Sequence, residues 1–407
     1  MLTVDPRAAG FDPAKLARIE AHFRRYVDAG RLPGFDVVVM RGESVAYRAR
    51  HGWADVDRRE PLREDAIYRI YSMTKPITSV ALMMLVEEGK VMLTEPVGTY
   101  VPSFAAPRVY VDGGVLTPRT AEAREPMRVW HLLTHTAGLT YGFHYATPVD
   151  EIYRRSGFDF GARITDDLAA LCDRYAALPL LHEPGASWNY SVATDVVGRI
   201  VEVASGRSLD EFFRERILGP LGMRDTAFWV EEGRQERLAS LYTGYLRTPA
   251  AYATEMDKAG RRPPRYWSGG GGLTSTVEDY VAFMRMLVRR GSLGAQGGRL
   301  LSRPTVDLMT TNHLPGGVDI GSWGYTYGWP DYTGMGFGLG FSVQTGYGPG
   351  HAHTPAGMYG WGGMASTAFW IDPAHDVSAA FFTQLLPSGT WPIREELRGL
   401  VYGALAD

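Results

Sequence analysis

The chain of 407 residues predicts an α/β fold of the α+β type, with one sheet assembled from its two ends. Three observations carry this reading. A strand-like hairpin stands near each terminus, each terminus also supplies a helix, and the middle holds mostly short helices and irregular loops. Residues 1–95 and 265–407 are therefore read as a mixed lobe and residues 96–264 as a mainly helical lobe.

Phe11 to Ala29 alternates apolar and charged residues at helical spacing and is expected to be a peripheral amphipathic helix. Asp36 to Met40 reads as a strand, Arg41 to Ser44 as its turn, and Val45 to Ala49 as the returning strand. The apolar set Ile77, Val80, Ala81, Met84 and Leu85 has the spacing of a buried helix face. Pro76 fits only in a first turn, which places the helix start near Ser72, and Gly89 closes it. The middle is expected to be helical near 128–136, 164–177, 192–204 and 208–218. The glycine run from Ser268 to Gly272 reads as a tight turn before a helix at Val277 to Arg289. Residues 321–349, dense in Gly, Tyr, Trp and Phe, fit either a binding-site wall or aromatic loop packing, of which packing is the commoner. A second hairpin, Ser366 to Ile371 and Val377 to Thr383, turns at Asp372-Pro373, and a closing helix is expected over 391–405.

Composition narrows the function classes. Lys and Arg number 42 against 45 Asp and Glu, for a net charge of -3. No polyanion is implied as a partner, so nucleic acid is not expected. The single cysteine, Cys172, gives neither a disulfide framework nor a cysteine metal site. The first residues open no apolar leader, and no run approaches membrane-spanning length. The expectation is a cytoplasmic enzyme with no membrane partner, acting on a small-molecule ester. No Walker or dinucleotide motif is evident, so no cofactor is expected. His131 and His135 have helical spacing but lack the Glu of a zinc-protease motif, and His351-Ala352-His353 reads as a surface loop. No metal is expected. No serine has the Gly-x-Ser-x-Gly surroundings of an α/β-hydrolase nucleophile.

The chemistry concentrates at Ser72-Met73-Thr74-Lys75. This spacing sets a hydroxyl and an amine one helical turn apart, where the lysine can take the serine's proton. The chain has only four lysines, Lys15, Lys75, Lys90 and Lys258, and Lys75 alone has a Ser three residues before it. A helix start carries unpaired N–H groups and partial positive charge, which favour an ionising Ser72 Oγ. Tyr190, in Trp188-Asn189-Tyr190-Ser191-Val192, sits at a loop-to-helix junction where its hydroxyl can shuttle a proton. Gly360-Trp361-Gly362-Gly363-Met364 precedes a C-terminal strand, and its glycines let backbone approach a ligand.

Taken together, Ser72 to Lys75, Tyr190-Ser191-Val192 and Trp361-Gly362-Gly363 resemble the motifs of the serine β-lactamase and penicillin-binding-protein superfamily. The chain most resembles the family VIII carboxylesterases, relatives of class C β-lactamases. Leu132 to Leu139, Ser268 to Thr276 and Gly336 to Gly340 support the resemblance, which spans nearly the whole chain. It implies a serine β-lactamase-like fold: an antiparallel sheet flanked by helices, a mainly helical lobe, and the active site between them. It also implies that Ser72 is the acylated nucleophile and that Lys75 and Tyr190 form its proton-transfer pair. By the same token Trp361 holds the third-motif position, and the backbone N–H groups of Ser72 and Met364 form the oxyanion hole.

Two departures bear on substrate. Val192 replaces the usual Asn of the second motif, and Trp361 replaces the Lys or His that opens the third. Without that cation the site is expected to suit neutral carboxylic esters, with at most weak β-lactam turnover. Tyr141, Phe143 and Tyr145 are read as an aromatic wall that narrows the cleft to short acyl chains, with Trp361, Gly362 and Gly363 as the opposite side of the binding site. Acyl transfer to an alcohol uses the same acyl-enzyme and stands as the alternative, as do β-lactamase and D-amino-acid peptidase activity. A catalytically dead binding protein is disfavoured by intact Ser72, Lys75 and Tyr190.

Overall fold

The computed structural model describes residues 4–159, 164–244, 256–325, 332–346 and 353–406. Its sheet has eight strands: β1 (Gly34–Arg41), β2 (Ser44–Asp55), β3 (Glu60–Pro61), β4 (Met335–Phe337), β5 (Ser342–Gln344), β6 (Tyr359–Gly362), β7 (Ala368–Asp372) and β8 (Val377–Phe382). Their order is β3-β2-β1-β8-β7-β6-β5-β4, and every pair is antiparallel. The N-terminal hairpin and the C-terminal hairpin meet at β1 and β8, with Asp36 opposite Phe382 and Val39 opposite Ala379. One sheet is thus built from both chain ends.

Alternate residues of β1 serve different cores, because successive side chains in a strand point to opposite faces. Phe35, Val37 and Val39 join Phe23, Phe381, Leu397 and Val401 in one apolar cluster. That face is covered by α1 (Pro13–Asp28) and α5 (Ile393–Tyr402). Val38 and Met40 join the larger cluster on the other face, with Met73, Val80, Tyr280 and Phe283. There the cover is α2 (Thr74–Glu87) and α4 (Val277–Val288), and α3 (Ala193–Ser205) contributes Val196, Val197 and Ile200 to the same cluster. Both faces of β1 are buried, which accounts for its apolar run from Val37 to Met40.

The middle of the chain supplies short helices at Val129–Leu133, Pro148–Arg155, Leu168–Ala176 and Leu209–Phe213. It also holds a hairpin, Arg108–Gly114 with Thr117–Glu122, in a region whose sequence reads as mostly short helices and irregular loops. Its strands are mostly exposed on both sides, so they carry no apolar alternation to read. The Trp-Gly-Gly motif is at the end of β6, and the turn after it leads into β7. His351, Ala352 and residues 326–331 and 347–349 lie outside the described residues.

Candidate active site

Ser72 lies in a single tight turn, Tyr71–Met73, that runs directly into α2. Pro76 occupies the first turn of the helix, where a missing N–H costs nothing. Gly89, at φ +68, follows the last helical carbonyls in the left-handed conformation that glycine adopts readily. Along this helix Lys75 turns inward and is 1% exposed. Its Nζ donates to Ser72 Oγ at 3.1 Å, to Tyr141 OH at 3.0 Å and to the Gly270 carbonyl at 2.7 Å. All three partners are neutral. Among the described residues no carboxylate lies within ion-pair distance of Nζ.

The glycine run is part of this site rather than a turn alone. Thr78 Oγ1 donates to the Gly269 carbonyl at 2.7 Å, and the Leu273 N–H donates to Thr74 Oγ1 at 3.1 Å. These bonds lay the loop across the start of α2. A side chain at Gly269 would meet the Thr194 carbonyl at 2.7 Å, so the close approach requires glycine. Asp195, in the first turn of α3, anchors the same loop. Its Oδ1 accepts from Ser268 Oγ at 2.7 Å and from the Gly270 N–H at 2.9 Å. Burial pushes this carboxyl above its ordinary range, opposed by the two hydrogen bonds and by the charge of Lys75. Asp195 therefore fixes, through its N–H, the glycine whose carbonyl receives Lys75.

Tyr190 precedes α3 and is held from three directions. His144 Nε2 donates to its carbonyl at 2.7 Å. Its ring packs against Trp188, His135 and Trp361. Trp361 Nε1 donates to its hydroxyl at 3.3 Å. His135 is itself buried, and desolvation keeps its imidazole neutral by holding it well below the usual range. Lys75 Nζ meets Tyr190 through the ring face, 4.6 Å from the centroid. The hydroxyl bonded to Lys75 belongs to Tyr141, whose phenol burial holds well above its ordinary value. Tyr141 is thus a partner of Lys75 and is not among the residues that line the cleft. Phe143 stacks on it with centroids 4.5 Å apart and lines the cleft.

One cleft of about 140 Å³ brings together Ser72, Phe143, Tyr190, Trp361, Gly362, Gly363 and Met364. Gly363 makes that assembly sterically feasible. A side chain at Gly363 would overlap the Ile70 carbonyl, two residues before Ser72. The turn holding Met364 therefore rests against the chain that presents the serine. The Gly363 N–H is occupied by the Thr367 carbonyl at 2.8 Å, whereas among the described residues the Met364 N–H donates to no protein acceptor. Phe337 stands edge-on to Trp361 at 5.3 Å, and Tyr332 and Met335 line the cleft. Residues from the aromatic-rich stretch thus serve both as packing and as wall.

Two expectations change. Tyr145 does not narrow the cleft: it is 63% exposed, its hydroxyl donates to Asp159, and Arg154 covers its ring. Its backbone, at φ +55 after a short turn, carries it away from Tyr141 and Phe143. Nor is the cleft without a cation. Arg394, in the first turn of α5, lines it beyond Gly362. Neither Arg394 nor Asp195 stands at a motif spacing from Ser72; only their place in the fold reveals them. Among the described residues no group of His, Cys, Asp and Glu is placed to hold a metal. No helix among them is long and apolar enough to cross a membrane.

A serine beside a buried lysine with neutral partners, facing a cleft where the Met364 N–H meets no acceptor among the described residues, is the arrangement of a serine hydrolase. The chain belongs to the Beta-lactamase family, whose model matches residues 19–402, and within it stands with the family VIII carboxylesterases. It is 31% identical over 421 residues to Esterase EstB of Burkholderia gladioli, covering 98% of each chain. It is also 31% identical over 315 residues to Monacolin J acid methylbutanoyltransferase of Aspergillus terreus, covering 74% of this chain and 71% of that one. Among solved structures, EstCE1, a hydrolase with promiscuous acyltransferase activity, superposes with a TM-score of 0.78 at 27% identity, over 96% of this chain and 99% of its own.

Proposed function

We propose that the protein hydrolyses small carboxylic esters through an acyl-enzyme on Ser72. The observation that carries this is the 3.1 Å bond from Lys75 to Ser72 Oγ, made by a lysine that has no ion-pair partner among the described residues. In the proposed cycle Lys75 takes the proton as Ser72 Oγ attacks the ester carbonyl. The developing oxyanion is received by the N–H groups of Ser72 and Met364, donors already in place before charge develops. Because Tyr190 OH accepts from the Trp361 indole, its own hydrogen is free to reach the departing alkoxide. Water then attacks the acyl group and the same groups return the protons. The cleft volume of about 140 Å³ supports a short acyl chain.

Acyl transfer is the second reading. Relatives named as acyltransferases and the promiscuous transferase activity stated for EstCE1 support it, since an alcohol in place of water intercepts the same intermediate. The test of the shared intermediate is covalent labelling. An ester-forming phosphonate should place its adduct on Ser72, located by peptide mass spectrometry, and the protein should turn over 4-nitrophenyl butyrate. An adduct on another residue removes the assignment. Adding an alcohol during turnover then separates hydrolysis from transfer by the product formed.

The two tyrosines make a paired expectation. Tyr190→Phe keeps the ring over Lys75 and removes only the hydroxyl. If that hydroxyl works in the transition state, kcat and kcat/KM should fall together. Tyr141→Phe leaves Lys75 two of its three partners and should cost less. The reverse ranking, measured with 4-nitrophenyl butyrate, would transfer the shuttle role to Tyr141.

A further inference from the structure

The third motif lacks a cation in sequence, yet a guanidinium lines the cleft from another element. Arg394 lies over Gly362, where any side chain would overlap its guanidinium, so this glycine is the seat of the arginine. Its Nη2 donates to the carbonyls of Gly363 at 3.3 Å and Thr367 at 3.2 Å, the two residues that flank the Met364 turn. Both are long bonds to neutral acceptors. The neighbouring Glu395 is committed to Arg398, at 3.2 Å. Among the described residues no carboxylate lies within ion-pair distance of Arg394. This corner therefore holds two guanidiniums and one carboxylate, all lining the same cleft as Ser72. Burial disfavours the charged form of Arg394. A guanidinium in that setting presents a fork of donors that matches a carboxylate, and among the described residues none lies against it.

We propose that Arg394 is a specificity residue that receives a carboxylate of the substrate, so that the preferred esters carry a free acid group in their acyl or alcohol portion. The inference rests on the reading of Ser72 as an ester-cleaving nucleophile. It replaces the preference for neutral esters expected from Trp361 alone: the cation is present, supplied by α5 instead of β6.

Two matched pairs of esters test it. Monomethyl glutarate against dimethyl glutarate places the charge on the acyl side. 3-(Butanoyloxy)propanoate against its methyl ester places it on the alcohol side. The quantity read is the ratio of kcat/KM, charged over neutral, within each protein, so that a general loss of activity cancels. A charge-assisted bidentate contact predicts that Arg394→Met lowers this ratio about 10- to 100-fold for one of the pairs, which also identifies the side. Arg394→Lys should retain part of it, and Gly362→Ala, which displaces the guanidinium, should lower it as well. Equal ratios in wild type and folded Arg394→Met for both pairs overturn the proposal. If Arg394→Met does not fold, inhibition of the wild type decides: glutarate competing with 4-nitrophenyl butyrate supports the site, and its failure to compete overturns it. A wild type that neither cleaves 4-nitrophenyl butyrate nor takes a label at Ser72 defeats the ester reading itself, a result distinct from any ratio.

Discussion

Lys75→Arg should be almost inactive, although it keeps the positive charge. Lys75 Nζ has Ser72 Oγ, Tyr141 OH and the Gly270 carbonyl around it and, among the described residues, no carboxylate within ion-pair distance. A group in that position can serve as a base only if it can lose and regain a proton. Arginine cannot be deprotonated in a protein. It therefore preserves any electrostatic attraction for the oxyanion while abolishing proton transfer, and the two roles separate. Loss of one acid–base group costs on the order of 10²–10⁴ in rate. The loss should appear in kcat/KM for 4-nitrophenyl butyrate and equally in the rate of phosphonate labelling, which depends on the same activation of Ser72. The fork of arginine is bulkier than an ammonium in this buried corner, so near-UV circular dichroism and Tm are measured alongside. Lys75→Met is the comparison for packing. An arginine variant with wild-type turnover would make Lys75 an electrostatic group and leave Ser72 without its base.

How far the sequence reveals this site depends on the range of each interaction. Ser72 and Lys75 are legible because their relation is set within one helical turn, and Pro76 and Gly89 mark where that turn begins and the helix ends. The two-ended sheet is legible because β1 and β8 carry apolar runs and sit in hairpins with clear turns. Tyr145 misleads because aromatic bulk alone makes Tyr141, Phe143 and Tyr145 read as one wall, whereas the left-handed backbone of Tyr145 after a short turn carries it away from the other two. The hairpin at Arg108–Gly114 and Thr117–Glu122 is silent because neither of its faces is buried. Asp195 and Gly270 meet across 75 residues of chain, and Arg394 reaches the Gly363 carbonyl across 31, through backbone groups and a space that Gly362 leaves open. Such contacts leave no spacing to read. The third motif shows this most clearly: Trp361 describes the charge of one position, while the charge of the cleft is set by Arg394 from α5.

Met364 should matter through its backbone and not its side chain. Among the described residues its N–H meets no acceptor, it lines the cleft with Ser72, and its turn rests on Ile70 through Gly363. Met364→Ala keeps the donor and should remain active. Met364→Pro removes it. Loss of one oxyanion donor in a comparable hydrolase raises the barrier by about 2.7–4 kcal/mol, or roughly 10²–10³ in kcat. The loss should fall mainly on kcat, since the donor meets charge that exists only in the transition state. Proline also disturbs the turn, where Ser366 already holds φ +65 and Gly363 bonds to Thr367. Binding of an uncharged ester analogue and Tm therefore accompany the kinetics. A large loss in the proline variant counts for the assignment only where both are retained. Equal, mild effects of alanine and proline would place the oxyanion elsewhere. A large effect of alanine would give the side chain the role that is assigned here to the peptide.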